Sequence, residues 1–313
     1  MAGRRRREAG GVYRNGRHVV LLPESRGKPY RLRRRDSILL DLGFRCGSAP
    51  RESRHPMTSR LFLLKELVRR DVKGRYAGSL FGLVWSFAQP LWMLALFGFV
   101  FSSVMKVPAV GVRSGNFAIF LFSGLLPWMA VQEGILRATT SVTDNSSLVK
   151  KLRFPSEILG LAVVLAALVH EGIAMLAFFS VVAWTGELSG RGLPLLLIAI
   201  PLQVALTLGV GWLLAAVHVF FRDVAQILGM GLTAWFYLTP IVYPASYVPE
   251  RLSRWIELNP LTGLVGLYRA ALLAESPLPS RVALASLALS ACGFFALGRF
   301  LFQRLKPTFV DEI

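Results

Sequence analysis

Residues 76–105 read YAGSLFGLVWSFAQPLWMLALFGFVFSSVM and contain no Lys, Arg, Asp or Glu over 30 positions. A helix rises about 1.5 Å per residue, so about 20 apolar residues cross the hydrocarbon core of a bilayer. In lipid the backbone must satisfy its own hydrogen bonds, and the stretch is too long for a strand of a membrane barrel. It therefore predicts a membrane-spanning helix.

The same criterion finds further spans along the chain. Four other stretches contain none of these charged residues: 114–132, 192–221, 224–249 and 282–298. Residues 158–184 are apolar apart from His170 and Glu171. We therefore predict an all-α integral membrane protein with six transmembrane helices, at roughly 80–105, 117–137, 158–184, 194–220, 225–243 and 279–302.

The composition agrees with this fold class. Hydrophobic residues make up 54% of the 313-residue chain and charged residues only 17%, against about 25% in soluble proteins. The net charge is +18, yet residues 1–79 hold 21 of the 36 Lys and Arg. With the N-terminus inside, the cytoplasmic segments carry 29 of these cations and the outer segments 7. The positive-inside rule therefore predicts that both termini are cytoplasmic.

The first 56 residues differ from the rest of the chain. Runs of Arg alternate with Gly, Pro and Ser, without a sustained hydrophobic period. This pattern indicates a disordered basic extension. Two alternatives are a nucleic-acid-binding arm and a true start at Met57. Residues 57–313 form the predicted transmembrane domain.

Residues 59–76 predict an amphipathic helix ahead of the first span. Its predicted apolar stripe is Leu61, Leu64, Val68, Val72 and Tyr76, and basic residues occupy the other side. Such a helix lies flat in the cytoplasmic interface of a membrane. It could serve as a lipid anchor or as a docking surface for a partner, and the charge pattern does not separate the two.

Residues 244–278, between the fifth and sixth spans, are too apolar for a plain outer loop, and five prolines interrupt them or follow them closely. Apolar groups this short cannot span. They are compatible with two re-entrant half-helices or with a surface loop that carries interfacial aromatic residues.

We find no catalytic constellation in the sequence. His170-Glu171 begins a zinc-protease helix motif, but the second His would stand at position 174, which is Ala. A Gly-rich phosphate loop of the Walker type is missing from the sequence. Four ionisable residues within or at the ends of spans, Glu133, His170, Glu171 and His218, indicate either hydrogen bonding inside the bundle or a proton relay.

The order of several passages is more specific. The passages are RRDVKGRYAGSLFGLVWSFAQPLWM from Arg69, NSSLVKKLRFPSEIL from Asn145, FRDVAQILGMGLTAWFYLTPIVYP from Phe221 and NPLTGLVGLYRAALL from Asn259. On these passages the chain, over about 59–313, resembles the ABC-2 type transport permeases, in the group that exports O-antigen, capsule or teichoic-acid polysaccharides.

The resemblance implies a homodimer that binds two copies of a separate ATPase subunit, which carries ATP and Mg²⁺. It implies no cofactor on this chain and membrane lipids around it. From the residues themselves we expect no metal, because four His and two Cys are too few and too scattered for a cluster, and no nucleic acid, because the basic residues lie at the ends of apolar segments. The implied ATPase-coupling residues are Lys150, Lys151, Arg153, Phe154, Arg222 and Asp223. The implied contact residues of the interfacial helix are Arg69, Arg70, Asp71, Lys73, Arg75 and Tyr76. Candidates for the conduit lining are Trp85, Trp92, Trp235 and Tyr237, and the alternative for these aromatics is the interfacial belt.

The predicted function is therefore the non-enzymatic membrane subunit of an ATP-driven exporter of a lipid-linked polysaccharide. Transport would run from the cytoplasm outward across the bacterial inner membrane. One alternative is an ABC-2 permease for a small amphiphile, such as a drug or another lipid. A second alternative is a membrane-embedded enzyme that modifies glycans or lipids.

Overall fold

The computed structural model describes residues 14–15, 18–19, 56–76, 84–107, 111–113, 115–150, 154–188, 190 and 192–313. The chain divides into two units, Met1–Ser53 and Arg54–Ile313. In the first unit, β1 (Arg14–Asn15) and β2 (His18–Val19) form an antiparallel pair. The rest of the predicted basic extension before Pro56 lies outside the described residues.

The second unit is helical. Its α-helices are α1 (Pro56–Tyr76), α2 (Val84–Phe97), α3 (Phe117–Asp144), α4 (Ser146–Val149), α5 (Glu157–Trp184), α6 (Leu196–His218), α7 (Val224–Leu238), α8 (Glu250–Leu258), α9 (Pro260–Leu272), α10 (Arg281–Leu305) and α11 (Phe309–Glu312). A π-helical segment, Gly98–Val104, continues α2. Short 3₁₀ turns occupy Leu193–Leu195, Ala245–Tyr247 and Lys306–Thr308.

Five helical segments in the described part of the chain are long and apolar enough to cross a membrane. They are Phe87–Val104, Phe117–Asp144, Glu157–Trp184, Leu193–His218 and Arg281–Glu312. The fifth predicted span, 225–243, corresponds to α7, which has only 15 residues. The all-helical membrane fold is thus confirmed, and the count of six spans stays a prediction.

Helix α3 lies at the centre of the bundle. In an apolar stretch of 18 residues within α3, 78% of the residues are buried, against 6% of the 18 residues Phe87–Val104. The side chain of Asn116 caps α3 and accepts a hydrogen bond from the backbone N–H of Ala118 at 3.0 Å. Aromatic packing joins α3 to α5, since the ring centroids of Phe122 and Phe178 are 5.3 Å apart. The peripheral helix α2 instead leaves most of its apolar surface exposed.

Helices α6 and α10 approach each other at two glycines. A Cβ atom at Gly298 would lie 2.1 Å from the carbonyl oxygen of Gly209. A Cβ atom at Gly209 would lie 2.4 Å from the backbone carbonyl carbon of Phe294. Small residues at such crossings let two backbones come into direct contact, which is typical of packing between membrane helices.

The segment after α7 is held by a buried arginine. Arg269 of α9 donates from Nη1 to the carbonyl of Pro240 and from Nη2 to the carbonyl of Ile241, both at 2.8 Å. Its guanidinium lies 3.7 Å from the ring centroid of Phe120. Arg269 is one of the seven cations that the charge pattern assigns to the outer segments. It does not lie in an exposed loop, because ten residues of α9, Arg269 among them, are buried.

Candidate functional site

Helix α1 packs against one end of the bundle. Leu67 is buried there, and Leu64 and Val68 pack against the same apolar cluster. Two residues of the predicted stripe, Leu64 and Val68, thus pack against the bundle, and the buried Leu67 lies outside that stripe. Leu61 is 65% exposed near the beginning of α1. The placement of the stripe at the membrane interface stays a prediction. The side chain of Tyr76, the last residue of that stripe, lies outside the part that the structure describes.

Seven helices contribute to this apolar cluster, which we call the basal cluster, and α3 contributes Ala138 and Val142. Its large members are Leu67, Val149, Leu159, Trp212, Phe302 and Phe309. The rings of Phe302 and Phe309 meet edge to face at 5.2 Å. Because α1, α4, α5, α6, α10 and α11 each supply one of these side chains, movement of any one of them is resisted by the packing of the others.

Two of the predicted coupling segments reach the basal cluster. Phe154, between α4 and α5, is half-buried and packs against it. Phe220, which lies between α6 and α7, has its ring centroid 6.5 Å from that of Phe309. Phe154 therefore stabilises the α4–α5 connection through packing within the chain. This role is separate from the contact with a partner that the resemblance implies.

A charged crevice lies beside the basal cluster, between α1, α3 and α5. Arg137 of α3 forms a bidentate pair with Asp71 of α1, in which Nη1 donates to Oδ2 at 2.8 Å and Nη2 donates to Oδ1. Glu133, one turn earlier in α3, accepts from Nη1 of Arg137 at 3.3 Å. Arg70 donates to Oδ1 of Asn145 at 3.3 Å. These contacts fasten α1 to the end of α3 around a space of about 250 Å³.

The structure brings most of the predicted coupling charges to this same end. Lys150 is exposed directly after α4, and Arg222 and Asp223 are exposed before α7. On α1, the exposed residues are Arg69, Arg70 and Lys73, and Asp71 is partly buried. Lys151, Arg153 and the side chains of Arg75 and Tyr76 lie outside the described residues. Sequence analysis missed Arg137 and Asn145 as partners of α1, because nothing in their local pattern marks which helix they contact.

The conduit candidates fall into separate grooves. Trp85 and Trp92 lie on α2, with Gln89 between them, and line an open groove of about 580 Å³. Trp235 of α7 lines a different groove of about 450 Å³, and its Nε1 donates to Oδ1 of Asn259 at 2.9 Å. Tyr237 is 63% exposed. The described part of one chain therefore does not bring all four aromatic residues together.

Known proteins resemble this chain over most of its length. The family described as "ABC-2 type transporter" matches residues 63–273. The O-antigen export system permease protein RfbA of Myxococcus xanthus is 29% identical over 255 residues, which are 80% of this chain and 95% of that protein. An RfbA of Klebsiella pneumoniae is 32% identical over 211 residues, 66% of this chain and 78% of its own length.

A more distant relative is the polysialic acid transport protein KpsM of Escherichia coli. It is 23% identical over 217 residues, which are 67% of this chain and 81% of that protein. The family match covers α1 from Leu63 onward, the charged crevice and the re-entrant candidates α8 and α9. Together with the five apolar helices it shows a multi-pass membrane protein, and the chain belongs to the ABC-2 type transporter family.

Proposed function

We propose that this chain is the membrane-spanning permease subunit of an ATP-driven exporter of a lipid-linked polysaccharide. The observation that carries the proposal is its similarity, over 66–80% of the chain, to proteins named for O-antigen export and polysialic acid transport. Exposed aromatic rings on α2 and α7 support it, because sugar rings present C–H faces that stack on aromatic side chains.

Removal of the chain tests this function. Deletion of its gene is expected to abolish surface polysaccharide in the host, while lipid-linked glycan accumulates on the cytoplasmic side. Surface glycan is measured by antibody or lectin labelling of intact cells, and total glycan by electrophoresis of lysed cells. A plasmid copy should restore export, and an empty plasmid is the control. Unchanged surface glycan in the deletion strain would contradict the proposal.

We further propose that two copies of the chain assemble with two copies of a separate ATPase, which holds ATP and Mg²⁺. The sequence lacks a Walker phosphate loop, so the energy for transport has to reach this chain from a partner. The face around the basal cluster supports this arrangement, because it presents exposed charges from α1, from Lys150 and from the turn at Arg222-Asp223. These charges form a polar surface beside the basal cluster, on which the ATPase would dock.

The proposed orientation puts both termini and the basal cluster in the cytoplasm. In a chain with Cys46 and Cys292 replaced by Ser, cysteines at Gly115 and Gly190 are expected to react with an impermeant thiol reagent added outside intact cells. A cysteine at Ser147 is expected to react only after the cells are opened. All three positions are exposed, so the labelling reports the side of the membrane. The reverse pattern would overturn the orientation.

A further inference from the structure

Glu171 is a buried carboxylate in the middle of a membrane-spanning helix. It is the fifteenth of the 28 residues of α5, about 21 Å from the beginning of that helix, and only 5% exposed. Burying an ionisable group at such depth costs free energy, and such a group usually faces the bundle interior or a polar cavity. Nothing in the fold described so far accounts for it.

One oxygen of Glu171 is committed to a short chain of hydrogen bonds. The Tyr268 hydroxyl donates to Oε1 of Gln203 at 2.6 Å, and Nε2 of Gln203 donates to Oε2 of Glu171 at 2.6 Å. All three side chains are buried, and they connect α9, α6 and α5. The direction of donation is fixed, because the amide N–H₂ of Gln203 only donates and its carbonyl oxygen only accepts. The chain therefore positions the Glu171 carboxylate and leaves its other oxygen for a different donor.

That other oxygen, Oε1, is buried without a hydrogen-bond partner among the described residues. Glu171 lines a cavity of about 150 Å³ between α2, α3 and α5. His170, Glu133 and Gln89 line it too, together with apolar side chains such as Phe122. A buried acceptor that no group satisfies is unfavourable in proteins, so this oxygen marks a place for a hydrogen-bond donor.

The cavity adjoins the aromatic groove of α2. Gln89 lines both the cavity and the groove that contains Trp85 and Trp92. Residues 85, 89 and 92 are spaced by four and three, so they follow one face of the helix. Carboxylate and amide groups that bind hydroxyls, next to aromatic faces that stack on C–H groups, are the two kinds of contact that a sugar ring requires.

We propose that this cavity and the α2 groove form a saccharide site within the membrane, in which Oε1 of Glu171 accepts a hydrogen bond from a sugar hydroxyl. The inference rests on the proposed function and names the residues that contact the exported glycan. A sugar hydroxyl supplies the hydrogen bond that Oε1 lacks without bringing a further charge into the membrane. A metal ion is a poorer match, because no cluster of three or more His, Cys, Asp and Glu that could hold one occurs among the described residues.

Photo-crosslinking in cells tests the site. A benzophenone amino acid replaces Met129, which lines the cavity, in the full exporter of a glycan-producing host. The matched control replaces Leu176, an exposed residue of α5 that is not among the cavity lining. Irradiation is expected to attach the host's glycan at position 129, detected by glycan staining of the purified chain, and at least fivefold less glycan at position 176.

Substitutions separate binding from packing. Glu171→Gln keeps an acceptor for Gln203 but presents an amide at the second position, so glycan adduct and export are both expected to fall about tenfold, which equals about 1.4 kcal/mol. Tyr268→Phe removes the hydroxyl that donates to Gln203 and keeps the Glu171 carboxylate, so it is expected to keep more than half of the adduct. An equal loss in Tyr268→Phe would mean that Glu171 acts through structure alone and would overturn the proposal.

Two further outcomes decide against the site. An adduct that persists in a host unable to start glycan synthesis would identify a lipid headgroup as the occupant. Equal amounts of glycan adduct at positions 129 and 176 would mean that the glycan does not bind preferentially at the cavity. Failure of the proposed function is recognised separately, since the unmodified chain would then not restore surface glycan to the deletion strain.

Discussion

Asp71→Arg is expected to reduce export at least tenfold, and the exchanged pair Asp71→Arg with Arg137→Asp to recover most of it. The substitution replaces a bidentate ion pair by two like charges at the junction of α1 and α3. The two side chains are 20% and 35% exposed, so solvent screens the pair only in part. Loss of such a charge-assisted pair costs about 1–3 kcal/mol, and repulsion adds to this.

The structural reason for a functional effect is the position of α1. It presents its charged face at the proposed docking surface while Leu67 inserts into the basal cluster. A displaced α1 would leave the bundle intact and misplace the surface that the ATPase contacts. The measurements are surface glycan, stimulation of the ATPase in membranes and the amount of chain in the membrane, of which only the last is expected to stay normal.

Asp144→Arg is the matched control for charge. Asp144 is exposed and lines the same crevice, so the substitution changes the local charge by the same amount. Export in this variant is expected to stay within twofold of the original chain. If the exchanged pair exports no better than Asp71→Arg alone, the ion pair is not what positions α1.

Gly298→Val is expected to prevent stable folding and to lower the free energy of unfolding by at least about 3 kcal/mol. Losses of this size are typical of severe disruption of a protein core. Even a Cβ atom at this position would lie 2.1 Å from the carbonyl oxygen of Gly209. The obstacle is backbone, so no rotamer change relieves it, and α6 and α10 have to separate along their shared face. The chain is expected to enter the membrane and then to be degraded.

Gly293→Val provides the control on the same helix. An added Cβ at Gly293 would meet no described atom within 4 Å, apart from the helix's own backbone and its chain neighbours. Both substitutions place a β-branched residue inside α10, so both lower its helix propensity to a similar extent. The difference in stability between the two variants therefore measures the packing of α6 against α10. Stability is measured by thermal unfolding of the detergent-solubilised chain and by its resistance to protease. Equal stability of the two variants would show that α6 and α10 do not pack as closely as described.

The long helices could be predicted from the sequence because a helix that crosses the lipid needs about 20 consecutive, mostly apolar residues. The charge-free stretch at 114–132 already contains the start of α3 at Phe117, with Asn116 as its cap. The end of α7 was harder to predict. Residues 239–243 contain no charged residue, like the helix before them, yet α7 ends at Leu238, because Pro240 has no N–H to donate and restricts the residue before it.

The candidate site could be predicted only in part, since its contacts connect distant positions. Asp71 and Arg137 are 66 residues apart, and no local period shows that α1 crosses the end of α3. The chain from Tyr268 through Gln203 to Glu171 is equally non-local. Composition marked Glu171 as unusual because it is an acid inside a span, but the cavity beside it depends on how three helices pack.

The short helix α7 has a consequence for the thickness of the protein wall. Its 15 residues extend about 22 Å, against about 30 Å for the hydrocarbon core of a bilayer. The carbonyl oxygens of Pro240 and Ile241, which follow α7, accept hydrogen bonds from the Arg269 guanidinium. They therefore need no further turn of helix to satisfy them within the membrane. Each hydroxyl carried through an apolar layer without partners costs free energy. We infer that the apolar layer beside α7 is about a quarter thinner than the bilayer core, and we expect a sugar chain to cross it there at a lower free-energy cost than along α3 or α5.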